Sequence, residues 1–195
     1  MRDYAIDPKC VSVAGLLAGG AVAAIMGATY PDLYASVGIH SGLACDAASD
    51  LPSAFVAMRQ GNGSGAIGKA GSSVPTIVFH GDRDTTCIPM TLRCIPITAT
   101  GFSRQSNQSD QKGAARTSPA RPCDTRTILT DGDGSAMSEH WDIHGAGHAW
   151  SGGSPASSYT DPDATREMLH LFLKAFAQSI VGLHNSGGGT GRELR

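Results

Sequence analysis

Three short segments, far apart in the chain, carry side chains that could together form a nucleophile, base and acid relay. The first is Val13 to Gly20, Val-Ala-Gly-Leu-Leu-Ala-Gly-Gly, which has the frame of a nucleophile elbow. In such an elbow a strand turns sharply into a helix and one side chain is held up over the sheet, with glycines two positions to either side of it. Gly15 and Gly19 stand at those positions, but the residue between them is Leu17 rather than a serine. The turn is prepared and the reactive oxygen is missing.

The second segment, His80-Gly81-Asp82-Arg83-Asp84-Thr85-Thr86, follows the clearest strand in the sequence. A carboxylate just beyond the C-terminal end of a parallel strand lies where this class of sheet builds its sites. Asp84 is the first choice to orient an imidazole and Asp82 the second. The third segment supplies that imidazole as His148, between Gly147 and Ala149-Trp150. A loop histidine there can give one ring N–H to Asp84 and turn its other nitrogen towards position 17. The chain order elbow, acid, histidine is that of the α/β-hydrolases.

A metal site competes for the same histidines, because His140, His144 and His148 recur every four residues. Gly145 and Gly147 disfavour the helix that would stack them, and no H-E-x-x-H arrangement is present. No metal and no cofactor are expected.

Elements that would position these groups follow from periodicity. Val11–Gly15 reads as a buried strand, Ala18–Thr29 as a helix ended by Tyr30-Pro31, and Ala35–Ile39 as a second strand. Val74–Phe79 and Glu139–Ile143 are further strands. Their alternation with helices predicts an α/β fold with a parallel sheet and crossovers. Asp161-Pro162 is a helix start with Asp161 as cap, and Leu169, Leu173, Phe176 and Ile180 form one stripe that would face the sheet.

Residues 60–73 read as a glycine- and serine-rich loop, and 101–126 as a solvated, disordered insert with Arg104, Lys112, Arg116, Arg121 and Arg126. No aromatic residues interleave those charges, which argues against a nucleic-acid surface. The glycine-rich stretch 186–195 reads as a flexible tail, leaving 1–185 as one folded unit.

Across its 195 residues the chain carries a net charge of −2, so no global field attracts nucleic acid or an anionic membrane. No apolar run approaches the roughly 20 residues of a membrane span, and the N-terminal residues do not form a secretory signal. Five cysteines without a C-x-x-C pair leave no complete disulfide framework and no ordinary zinc spacing.

Taken together, AGLLAGGAVAAIMGATYP (14–31), VGIHSGLAC (37–45), VPTIVFHGDRDTT (74–86) and HWDIHGAGHAWSGGSPASSYTDP (140–162) resemble the secreted polyhydroxyalkanoate (PHB) depolymerase and esterase family, which includes acetylxylan and feruloyl esterase relatives. The resemblance implies an ester hydrolase that forms an acyl-enzyme on a serine at position 17, with His148 as base and Asp84 as its orienter. It also implies the Ala18 N–H as an oxyanion donor, a small or polymeric ester as substrate, and an extracellular location. Trp150 either lines the cleft or packs in the core.

Against that pattern Leu17 has no lone pair to attack with, and the family's long segment ahead of the elbow, with its second oxyanion donor, has no counterpart before Val11. The chain is therefore expected to be the C-terminal portion of such a catalytic domain, inactive or severely impaired. Neither Ser12 nor Ser41 is expected to replace the missing hydroxyl.

Overall fold

Short apolar stretches bounded by glycine and proline set the framework. The computed structural model describes residues 6–7, 10–43, 51–60, 74–87, 103–109, 124–130, 136–152 and 162–185. Its elements are β1 (Ser12–Leu16), α1 (Ala18–Thr29), β2 (Ser36–His40), α2 (Leu51–Gln60), β3 (Thr76–Gly81), β4 (Ser103–Ser109), β5 (Asp124–Thr130), β6 (Ala136–Ile143) and α3 (Ala164–Asn185). The sheet runs β1-β2-β3-β6-β5-β4. The first four of these strands are parallel, and β5 and β4 are antiparallel to their neighbours.

The antiparallel edge, which extends the predicted parallel sheet, has a simple reason. Only Asp131 to Ser135 separate β5 from β6, too short a connection for a crossover but ample for a hairpin. Two stretches of the predicted 101–126 insert, 103–109 and 124–126, are accordingly strand rather than disordered chain. An edge strand draws its order from ladder hydrogen bonds, so β4 needs no apolar pattern. Arg126, read as a solvated charge, instead bonds the buried Glu139 carboxylate at 2.7 Å and lies 4.9 Å over the Trp141 ring. Gln60, read as the start of the 60–73 loop, is instead the end of α2, and residues 61–73, 186–195 and the rest of that insert lie outside the described residues.

The two faces of the sheet are covered by different helices. Ala23 of α1 packs on Val37, Ile39 and Val78. On the opposite face Ala164, Met168 and Leu171 of α3 pack on Ile77, Phe79, Trp141 and Ile143. The predicted face of α3 is therefore corrected: Leu169 and Leu173 are more than half exposed. Two apolar stripes interleave on this helix, and the sheet chooses between them. Gly38 leaves a hollow in β2, and Met168 Sδ sits 2.7 Å from where a Cβ there would be. The helix cap is Asp163, which accepts the N–H of Arg166 at 3.1 Å, and the predicted cap Asp161 lies outside the described residues.

At the elbow the strand and helix nearly touch. A Cβ on Gly15 would fall on the backbone carbonyl of Gly19 and lie 2.7 Å from Gly20 N, whereas a Cβ on Gly19 would meet nothing within 4 Å. Close approach thus rests on Gly15, as predicted, and on Gly20 in place of Gly19. Gly15→Ala should destabilise the fold by about 2 kcal/mol in urea titrations, because backbone rather than a flexible side chain must move. Gly19→Ala should be neutral or add up to about 1 kcal/mol through helix propensity.

Candidate active site

The parallel strands β1, β2, β3 and β6 lie side by side in register, Leu16 against His40, His40 against Phe79, and Gly81 against Ile143. The residues that follow each strand therefore leave from one edge of the sheet. Leu17 follows β1, Ser41 follows β2, Asp82 and Asp84 follow β3, and His144 and His148 follow β6. This is the C-terminal edge at which parallel sheets build their sites.

Leu17 stands at the apex of the turn with φ 53° and ψ −115°. A side chain other than glycine rarely adopts such a backbone, and holding it there costs about 1–3 kcal/mol. No serine is present to turn that strain to use. Its N–H donates to the His40 carbonyl at 3.0 Å, which ties the elbow to β2. Ala18 begins α1, so its N–H is one of the first-turn donors that have no carbonyl partner four residues back.

The acid loop is shaped by the same close packing. A Cβ on Gly81 would strike the carbonyl of Ala146, so only glycine lets β3 and the histidine loop meet here. The chain then curls so that Asp84 Oδ1 accepts the N–H groups of Thr86 (2.9 Å) and Cys87 (2.8 Å). Its Oδ2 accepts the Nδ1–H of His148 at 2.8 Å, and the Ser41 hydroxyl donates to the same carboxylate. Burial opposes charge on Asp84, but the Cys87, His148 and Ser41 hydrogen bonds outweigh it and hold the carboxyl below its ordinary range. A carboxylate that stays ionised fixes His148 as the Nδ1–H tautomer and leaves Nε2 as its basic atom.

The two acid candidates have separate partners. Asp82 Oδ2 pairs with His144 Nδ1 at 3.1 Å, and its Oδ1 accepts the Gly145 N–H at 2.8 Å. His140 faces Asp142 at 3.4 Å. The three histidines spaced by four thus go to three different carboxylates rather than to one centre, and among the described residues no group of three or more ligand-type side chains is arranged to hold a metal.

Sequence reasoning missed the buried pair His40 and Ser41. His40 accepts the Ser151 N–H on Nε2 at 3.1 Å, and its Nδ1 lies 3.3 Å from the Ser41 hydroxyl. An acceptor at Nε2 requires the proton on Nδ1, so donation runs from His40 to Ser41 and from Ser41 to Asp84. Burial, followed by the neighbouring His80 and His148, lowers the His40 pKa to about 4, against a smaller opposing effect of Asp84. Ser41 is therefore held against the Asp84 carboxylate, in an unusual backbone with φ 46°. Ser12 is further removed, at the other end of β1, where it bonds Ser36 at 2.7 Å.

His80 completes the loop, with Nε2 2.6 Å from the Cys87 carbonyl and 3.6 Å from Asp84 Oδ2. Trp150 stacks on His40 with ring centroids 5.0 Å apart and donates its indole N–H to Thr165. It is half-buried and packs against the α3-side core. A trade of Ser41 for alanine removes one charge-assisted bond from Asp84, and a loss of about 2 kcal/mol at neutral pH is expected in chemical denaturation.

The mostly parallel sheet with helices on both faces and this strand-end site define the chain as an α/β-hydrolase fold. The fold of an acetyl xylan esterase from Aspergillus awamori is similar, with a TM-score of 0.54 and 18% identity, covering 87% of this chain and 62% of that one. The chain belongs to the PHB depolymerase esterase family: a family model described as "Esterase PHB depolymerase" matches residues 1–122. It is 29% identical over 206 aligned residues to a poly(3-hydroxybutyrate) depolymerase of Ralstonia pickettii, covering 97% of this chain and 39% of that protein. A poly(3-hydroxyalkanoate) depolymerase C of Paucimonas lemoignei is 32% identical over 98 residues, 45% of this chain and 24% of that protein. The chain thus spans well under half the length of these relatives. Among the described residues no helix is long and apolar enough to cross a membrane.

Proposed function

We propose that the chain carries the base and acid of a serine-type carboxylic-ester hydrolase, with the nucleophile position occupied by Leu17. The observation that carries this reading is the His148 Nδ1 to Asp84 contact of 2.8 Å at the strand edge from which the elbow also leaves. In that role His148 Nε2 takes the proton of an attacking hydroxyl, Asp84 steadies the imidazolium, and the Ala18 N–H meets the developing oxyanion. The substrate class follows from the relatives' names: a poly(3-hydroxyalkanoate) chain, its oligomers, or another carboxylic ester. An extracellular setting belongs to the same reading, and neither nucleic acid nor a membrane is a partner in it.

Leu17 itself favours a second reading, in which the chain is catalytically inert at this site and keeps at most a weak cleft for acyl groups. Hydrolysis of p-nitrophenyl butyrate by the chain as it stands, by Leu17→Ser, and by Leu17→Ser with His148→Ala tests the first reading. Turnover should appear with the serine and vanish with the second change. Full activity in the double variant would reject the assignment of His148.

A further inference from the structure

The Asp82–His144 pair has a third member that the site described above does not use. Thr125, on β5, places Oγ1 2.8 Å from His144 Nε2, while His144 Nδ1 lies 3.1 Å from Asp82 Oδ2. The ionised carboxylate can only accept, so Nδ1 carries the ring proton and Nε2 is left to accept from the Thr125 hydroxyl. The order hydroxyl, imidazole, carboxylate and both distances are those of a nucleophilic relay.

Each part is held from a regular element. Thr125 pairs with Asp142 across the β5–β6 ladder, and its β-branched side chain restricts the hydroxyl to few rotamers. His144 comes directly after β6, where Gly145 turns the chain with φ +79° and sends its N–H to the other oxygen of Asp82. The Asp82 N–H in turn donates to the Ile143 carbonyl at 3.2 Å. The group is open to solvent, with side-chain exposures of 34% for His144 and 45% for Asp82 and a half-buried Thr125.

We infer that Thr125, His144 and Asp82 form a second nucleophilic site, at which Thr125 takes the acyl group of small carboxylic esters with good leaving groups. The Thr125 oxygen bonds the acyl carbon while the bond to the leaving alcohol breaks. The hydroxyl proton passes to His144 Nε2 and from there to the leaving oxygen. Water, deprotonated by the same nitrogen, then releases the acid and restores the hydroxyl. The Gly145 N–H is committed to Asp82, so this relay draws no oxyanion stabilisation from it. Activated esters are the class for which that matters least. The site uses none of Leu17, Asp84 or His148 and does not rest on the function proposed above.

The test is covalent labelling with an alkyl fluorophosphonate, in which a P–O bond to the hydroxyl forms, the P–F bond breaks and fluoride leaves as His144 takes the proton. Peptide mapping by mass spectrometry should find one adduct per chain, on Thr125. Thr125→Val, which keeps the strand's shape, and His144→Gln should each lower labelling at least tenfold, and Thr125→Ser should retain it. Absence of an adduct in the unmodified chain, an adduct on another residue, or undiminished labelling in Thr125→Val or His144→Gln would overturn the inference. A folded protein in each arm is shown by its cooperative urea transition. Failure of Leu17→Ser to hydrolyse butyrate esters leaves this result untouched, and the reverse holds equally.

Discussion

Leu17→Ser should raise p-nitrophenyl butyrate hydrolysis by about 10³-fold over the unmodified chain, and His148→Ala should abolish the gain. Removing the nucleophile from an assembled triad costs about 10⁶ in kcat. On the function proposed above, that loss is what the leucine imposes on a site in which His148 and Asp84 are already joined at 2.8 Å. The expected gain is set below that figure because one oxyanion donor, the Ala18 N–H, is assigned among the described residues, and a donor is worth about 10²–10³. Most of the expected gain therefore comes from supplying the attacking oxygen, and the shortfall measures the oxyanion hole. The backbone at position 17 already has the elbow geometry, with φ 53° and ψ −115°, so serine enters a turn that needs no rebuilding. An unchanged rate in a folded Leu17→Ser variant would show that His148 Nε2 does not reach position 17. A gain that persisted without His148 would place the base elsewhere.

The parts of this site that were legible in the sequence are those fixed by local chemistry. Gly15, the Gly81-Asp82-Arg83-Asp84 turn and His148 after Gly147 each announce a backbone that must bend or approach closely within a few residues. The choice between Asp82 and Asp84 was not local. Their different partners come from the fold: Asp84 turns back onto the Thr86 and Cys87 N–H groups while Asp82 is drawn to Gly145. His40 and Ser41 were invisible as functional residues for the same reason: His40 meets Ser151 across 111 positions, and no spacing encodes that. The outward turn of Leu169 and Leu173 follows from a hollow at Gly38 on another element, and the order of β4 from ladder bonds to β5. Periodicity identifies that a helix is amphipathic, but the partner surface selects which stripe is buried.

Acid should loosen this protein well before Asp84 and Asp142 protonate, and His40 is the reason. In the unfolded chain His40 takes up a proton near pH 6.5, whereas in the fold burial and the neighbouring His80 and His148 lower its pKa to about 4. Between those values the unfolded state binds a proton that the folded state refuses, so stability falls as the pH is lowered. From pH 7.5 to pH 4.5 the loss from this one group is about 2.5 kcal/mol, taking 1.36 kcal/mol per unit. His80, whose pKa burial also lowers against the opposing Cys87 carbonyl and Asp84, adds to it in the same direction. Asp84 and Asp142 belong to a lower window, because their folded pKa values are depressed below 3.8 and their contribution is lost only as the pH falls further. Urea titrations at the two pH values should show the loss in the unmodified chain and a visibly flatter dependence in His40→Gln. An equal slope in both would mean that His40 is not held neutral. The consequence reaches the site, since a proton on Nε2 faces the Ser151 N–H and breaks the hydrogen bond that anchors His40 at the head of the chain through Ser41 to Asp84. Any turnover gained by Leu17→Ser should accordingly fall away on the acid side together with the fold.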